Sequence, residues 1–285
     1  KFLIPLASKP LKKNTKGKFD VPLYSYSYER VTPGYRLVDS FLNEQRVFSY
    51  NNIKDKKLFK SFFSKILNFN NPLLELNDIT ECETGKILEN SYRATNIAFL
   101  NEWMDYSKKL KLNLNKILEF IRLRPTHSNI RYPGLGVGGF CLTKDPMFGK
   151  YSLKEIFKFK NDKFKFSTNS IIINQKMINH TIEIINEKLV NLKKKRILLV
   201  GITYIDGSDD IRGSPSLELG RTLKKEFKSD VVYYDKFYGK KSQNLNNVNF
   251  KTDYFDAVIF CVKGSFSNNV FKSQLIKKTK LVLDT

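Results

Sequence analysis

Arg196-Ile197-Leu198-Leu199-Val200-Gly201-Ile202 is a near-continuous apolar run ending at a glycine. A strand covered on one face alternates apolar and polar residues. One buried on both faces does not, and this run fits the interior of a parallel sheet. The residues that follow repeat the theme. Ser214 can cap, and Pro215 can open, a helix running to Phe227. Val231-Val232-Tyr233-Tyr234 predicts a second strand ending at Asp235, Asp256 to Val262 a third, and Lys280 to Asp284 a fourth. Strands alternating with helices at this spacing predict an α/β fold with a parallel, doubly wound sheet over 194–285.

Upstream the pattern turns helical. From Thr84 to Leu110 there is no proline, and Ile87, Leu88, Tyr92, Ile97, Leu100, Met104 and Leu110 sustain an apolar stripe. Leu112-Asn113-Leu114-Asn115 breaks it, Lys116 to Leu123 predicts another helix, and Ser167 to Leu192 a third. Between them Arg124 to Pro146 is a long Gly- and Pro-rich loop, of the kind that carries function. Residues 1–78 mix strands (21–28, 46–50, 72–76) with helices (37–42, 55–67), an αβ alternation without a beginning.

Composition bounds the function. With 285 residues, 41% hydrophobic and 13% aromatic, the chain can bury a substantial core. No apolar run approaches the ~20 residues that span a bilayer, and no signal peptide opens the chain. Cys82, Cys141 and Cys261 are too few and scattered for a disulfide scaffold or zinc site, which makes a reducing, cytoplasmic setting the default. His127 and His180 are isolated, so no metal site is expected. The net charge is +22, but only ten of the fifty basic residues are Arg. Lys is spread along the chain among Asn, Ile and Phe, which reads as a solvated surface. A basic nucleic-acid binder is the rival, and no recognisable motif supports it. Lys1, and the apolar run Lys280 to Thr285, read as edges of a longer chain.

The loop Tyr132-Pro133-Gly134-Leu135-Gly136-Val137-Gly138-Gly139-Phe140-Cys141 is the most unusual segment. Gly134, Gly136 and Gly139 formally match a dinucleotide fingerprint, but no apolar strand precedes them. The glycines point to positive φ angles or to close passage by a ligand. They deliver Cys141, a nucleophile if basic neighbours lower its pKa and otherwise a packing cysteine. Cys261 lies inside an apolar strand and reads as packing. Lys86 and Asn90, four apart, share a helix face. Glu29 sits beside Thr32-Pro33-Gly34, and Asp145 follows Cys141 by four residues. Arg212, between a strand's carboxyl end and a helix N-terminus, suits a phosphate. A salt bridge to Asp209 or Asp210 is its alternative.

Together these blocks resemble the nucleotide-sugar 6-dehydrogenase family. The matching stretches are Tyr28 to Gly34, Gly85 to Arg93, Asn96 to Glu102, Pro133 to Pro146, and Gly201 to Pro215. The resemblance implies NAD-dependent oxidation of the C6 alcohol of a UDP-sugar, UDP-N-acetylhexosamine or UDP-glucose, to a UDP-uronic acid for surface polysaccharide. Cys141 matches the nucleophile that forms a thiohemiacetal and then a thioester. Lys86 and Asn90 match the oxyanion-stabilising pair, Asp145 the acid that orients water with the lysine, and Glu29 an acid/base carboxylate. The resemblance places Arg30, Val31, Thr32, Arg124, Arg131, Tyr132, Gly134, Gly136, Gly138 and Tyr204 at the UDP-sugar, and Arg212, Lys144 and Pro33 at NAD.

It implies three parts: the back half of a Rossmann-like NAD domain (1–78), a central helical domain pairing two copies into a homodimer (79–193), and a Rossmann-like UDP-sugar domain (194–285). The glycine fingerprint of the NAD domain is absent from this sequence. That motivates the alternative of an inactive UDP-sugar-binding fragment. Ile205 stands where the family usually has a substrate lysine, Gly213 where Glu is common, and Phe140 where His or Ser precedes the cysteine.

Overall fold

The computed structural model describes residues 24–68, 73–159, 164–189, 192–238, 248–249, 252–264, 273 and 275–285. Positions 21–23 and Pro72, expected in strands, lie outside this set. Contacts divide the chain into two compact units, one holding 1–32 and 36–86, the other 33–35 and 87–285.

In the first unit three strands, β1 (Ser25–Tyr28), β2 (Val47–Tyr50) and β3 (Leu74–Glu75), form a sheet in that order. β1 runs antiparallel to β2, and β2 parallel to β3. Between β1 and β2 lies α1 (Leu37–Asn43), and after β2 lies α2 (Ile53–Phe63), capped by the Asn52 side chain, which accepts from the Lys54 and Asp55 N–H groups. Phe48 of β2 is fully buried and stacks on Phe59 of α2 at 4.5 Å between centroids.

The long helix α3 (Ile79–Lys109) begins in this unit and continues in the second. It starts five residues before the predicted Thr84, because Glu81 turns back to accept from the Asn77 and Asp78 N–H groups at 3.0 and 3.4 Å. Its end, the short α4 (Leu114–Arg122) and the later α6 (Lys165–Lys188) match the expected helices within a few residues. The 124–146 segment is loop apart from short 3-10 turns at Pro125–His127 and Asp145–Met147, the second leading into the one-turn helix α5 (Phe148–Tyr151). Buried amides tie α3 to α6. Asn101 Nδ2 donates to Asn174 Oδ1 at 3.2 Å, and Asn174 Nδ2 to the Ala94 carbonyl at 3.0 Å.

The second unit ends in the predicted parallel sheet: β4 (Arg196–Val200), β5 (Asp230–Tyr234), β6 (Ala257–Phe260) and β7 (Leu281–Asp284), in the order β5-β4-β6-β7. Ile197 to Val200 are all fully buried, as an unbroken apolar run requires. Helix α7 (Pro215–Phe227) follows β4, with Ser214 Oγ accepting from Leu217 N–H and Lys228 in the left-handed region at the other end. α7 lays Leu219 and Leu223 against the sheet. Since β5 and β6 flank β4 on opposite sides, the loop after β4 sits where the strand order reverses, the place in such sheets where ligands bind.

Candidate active site

The glycine loop of the second unit rests on that loop. Gly139 N–H donates to the Arg212 carbonyl at 2.9 Å. A Cβ on Gly138 would stand 2.6 Å from Tyr204 Cβ and 3.0 Å from both the Gly213 carbonyl oxygen and Pro215 Cδ. Gly139, at φ +82, would meet the Tyr204 ring at 3.0 Å. These two glycines therefore serve contact between two loops of the protein itself. Gly134 differs, because nothing lies within 4 Å of its missing Cβ. With Pro133, Asn113, His180, Thr181 and Asp284 it lines a cavity of about 470 Å³. Across the loop a second cavity of about 500 Å³ is lined by Val137, Thr143, Asn174, Ser214 and Arg221.

Cys141 comes off this loop exposed. Its carbonyl accepts the N–H groups of Lys144 and Asp145 at 3.1 and 2.9 Å, which folds the chain into the turn that buries Asp145. The Asp145 carboxylate is then held on both oxygens. Asn90 of α3 donates to Oδ2 at 2.7 Å, and Lys144 Nζ to Oδ1 at 2.6 Å. Lys144 Nζ also lies 4.5 Å from the ring centroids of both Phe140 and Phe148. Three of the expected catalytic and cofactor residues, Asn90, Lys144 and Asp145, are thus one bonded group, of which Lys144 and Asp145 closely follow Cys141 in the chain. Tyr204 lies near enough for charge on Cys141 to bear on it. Burial pushes its phenol above the ordinary range, with the Asp210 charge acting the same way.

Glu29 and Lys86 meet in the first unit. Lys86 Nζ donates to the Glu29 carbonyl at 2.7 Å and lies 3.5 Å from Oε1. Oε2 accepts from Val31 N–H at 2.6 Å. The Thr32 N–H goes to Ser40 Oγ, and Arg30 spends its guanidinium on Tyr28 Oη and the Gln45 carbonyl. Pro33 belongs to the second unit.

Arg212 takes its alternative. Its Nε and Nη2 bond the Asp210 carboxylate at 3.0 and 2.6 Å, which pushes the Asp210 pKa down. The Arg212 guanidinium also stands 5.6 Å from the exposed Phe140 ring, and Lys144 shares that ring. Both cations at this ring are already paired with carboxylates, Arg212 with Asp210 and Lys144 with Asp145. Arg124 is exposed, Tyr132 carries the Arg122 guanidinium at 5.3 Å, and Arg131 donates its backbone N–H to Asn96. Cys261, packed against the sheet core, has its thiol pushed up to about 12 by desolvation. Among the described residues no group of three or more His, Cys, Asp or Glu is placed to hold a metal, and no helix is long and apolar enough to cross a membrane.

Sequence reading missed Asp235 as more than a strand end. Its carboxylate is fully buried and accepts four backbone N–H groups, from Ile202, Thr203, Phe237 and Tyr238. It locks the start of the loop that bears Tyr204 and Arg212. An acid at the end of the strand beside β4 was the available signal.

Residues 80–175 match the UDP-glucose/GDP-mannose dehydrogenase family, central domain. The chain is 28% identical over 271 residues to a UDP-N-acetyl-D-mannosamine dehydrogenase of Methanococcus aeolicus, covering 91% of this chain and 58% of that protein. A namesake from Methanocaldococcus jannaschii is 27% identical, with 90% and 58% covered. The chain thus spans about 58% of the length of these relatives. Among solved structures, a UDP-D-ManNAc dehydrogenase from Pyrococcus horikoshii superposes with TM-score 0.79 at 23% identity over 99% of this chain and 65% of that one. A UDP-glucose dehydrogenase from Pyrobaculum islandicum gives 0.76 at 18%, over 96% and 66%. These two likenesses establish the fold.

Proposed function

We propose that this chain, which carries the central domain of the UDP-glucose/GDP-mannose dehydrogenase family, takes part in oxidising the C6 alcohol of a UDP-sugar to the carboxylate. The names of its relatives favour a UDP-N-acetylhexosamine, UDP-N-acetylmannosamine first, with UDP-glucose next. The observation that carries the reading is the exposed Cys141, delivered by a turn whose carbonyl also positions the Asn90–Asp145–Lys144 group.

In this reading the alcohol gives up a hydride and a proton and becomes an aldehyde. Cys141 Sγ adds to the aldehyde carbon and the oxygen gains the proton, forming a thiohemiacetal. Loss of a second hydride from that carbon, with the hydroxyl proton, leaves a thioester, which water cleaves to the carboxylate, the thiol and a proton. Two NAD⁺ bound in turn would each accept one hydride. Lys86 and Asn90 oppose the negative charge that builds on the substrate oxygen. Glu29 and Asp145 handle the protons of the alcohol and of the attacking water. Lys144 and Arg212 offer charge to the cofactor, while Tyr204, Gly134, Gly136, Gly138, Tyr132, Arg124, Arg131, Arg30, Val31 and Thr32 offer contacts to the UDP-sugar. Pro33 lies on the cofactor side.

Pairing of two copies through α3 belongs to the same proposal. Leu88, Tyr92, Phe99, Trp103, Tyr106 and Leu110 are exposed and recur on one narrow face of that helix. The setting proposed is the cytoplasm, and the product a UDP-uronic acid for surface polysaccharide. The test is to incubate the chain with UDP-N-acetylmannosamine, UDP-glucose and NAD⁺ and follow NADH together with the uronate. UDP-sugar binding without NADH would favour the alternative of a binding fragment.

A further inference from the structure

Arginine is scarce in this chain, ten residues against forty lysines, so its placement is informative. Arginine brings a rigid fork of donors that lysine does not. Most of the ten are engaged within the protein. Arg36, Arg196, Arg212 and Arg221 form ion pairs with carboxylates. Arg46 donates to the Phe41 carbonyl and lies on the Phe41 and Phe63 rings.

Arg93, Arg122 and Arg131 behave otherwise. The 129–132 loop sits on α3: Asn96 Oδ1 accepts from Arg131 N–H at 3.0 Å, and Tyr92 Oη accepts from Asn129 Nδ2 at 2.6 Å. Arg93 lies on the same stretch of α3, between Tyr92 and Asn96. Arg122, at the end of α4, donates to the Ile130 carbonyl and lies 5.3 Å over the Tyr132 ring, which brings it to the same loop. The Arg122 guanidinium is thus held at the loop that carries Arg131, Arg93 stands on the helix stretch this loop covers, and among the described residues none of the three forms an ion pair with an acid. Partial desolvation lowers the Arg131 pKa from its ordinary value although the residue is exposed, and repulsion from Arg93 and Arg122 acts in the same direction. Gathering like charges costs free energy that a bound anion recovers.

We infer that Arg93, Arg122 and Arg131 form a binding site for a phosphate-type oxyanion, the group found free as pyrophosphate or carried as a nucleotide's diphosphate. Forked donors converging without an internal carboxylate are the arrangement such a group requires. At Arg131 this deepens the UDP-sugar reading, in which that residue alone of the three has a place.

The test is calorimetric titration of the full chain at fixed ionic strength with inorganic pyrophosphate and, separately, with UDP. Arg122→Gln and Arg131→Gln are each expected to weaken binding about tenfold. Arg93→Gln, which removes a side chain that makes no hydrogen bond among the described residues, should weaken it similarly without altering the melting temperature. Arg36→Gln, equal in charge change but drawn from an internal ion pair, should leave it unchanged. Weakened pyrophosphate binding assigns the site to the oxyanion itself, and weakened UDP binding alone assigns it to a nucleotide's diphosphate. Equal binding by all four variants, or no binding of either probe by the unmodified chain, overturns the inference. None of these readouts needs turnover, so a chain inactive as a dehydrogenase would still decide the question.

Discussion

Asp235 shows how much one buried charge can organise. Its carboxylate is fully buried and ties the loop after β4 to the turn after β5 through four backbone donors. Asp235→Asn keeps the shape but removes the charge and turns an acceptor into a donor facing N–H groups. Hydrogen bonds to charged groups contribute about 1.5–3 kcal/mol each in mutational series. The loss expected in urea unfolding is therefore about 2 kcal/mol or more. The cysteines separate by environment. Cys141 is exposed, while Cys82 is fully buried with its thiol pKa raised by desolvation, and Cys261 is pushed up to about 12. A raised thiol pKa keeps the unreactive protonated form dominant until pH approaches it. Iodoacetamide at pH 8 is expected to label Cys141 in the folded protein and to reach Cys261 and Cys82 only after unfolding. Peptide mass spectrometry reads this directly. Equal labelling of all three without denaturant would contradict the burial pattern. Cys141 was legible in the sequence because four glycines precede it in a cysteine-poor chain. Asp235 was not, because its partners lie more than thirty residues away in the sequence or in the backbone of its own turn.

Elements were legible where their signals are local. α7 runs from Pro215 to Phe227 as read, since the Ser214 cap and a first-turn proline are neighbours in sequence. Ser214→Ala should cost about 1 kcal/mol through loss of the cap to Leu217 N–H. A thermal melt that did not move would mean that the cap contributes nothing there. The unbroken apolar run of β4 likewise announced a strand buried on both faces. The antiparallel pairing of β1 with β2 was not legible, because pairing direction depends on the path of the chain through α1 and not on either strand's composition. The glycine loop was half legible. Its positive φ at Gly139 was anticipated, but the surface it presses on, Tyr204 to Pro215, is more than sixty residues distant and became visible only in the fold.

At the scale of the whole molecule, the +22 charge is carried mostly by lysines spread along the chain, whereas most of the scarcer arginines are engaged within the protein and Arg122 and Arg131 meet at the 129–132 loop. The domain that matches the dehydrogenase family, 80–175, contains Lys86, Asn90, Cys141 and Asp145, and the parallel sheet that follows supplies Tyr204 and Arg212. The central claim is that Cys141 makes a covalent bond to the substrate during a four-electron oxidation. The measurement that tests it most directly follows NADH and UDP-uronate formation from UDP-N-acetylmannosamine, in the unmodified chain and in Cys141→Ser side by side. The account predicts two NADH for each uronate from the unmodified chain and no uronate from the variant. Uronate formation by Cys141→Ser at the unmodified rate would contradict it.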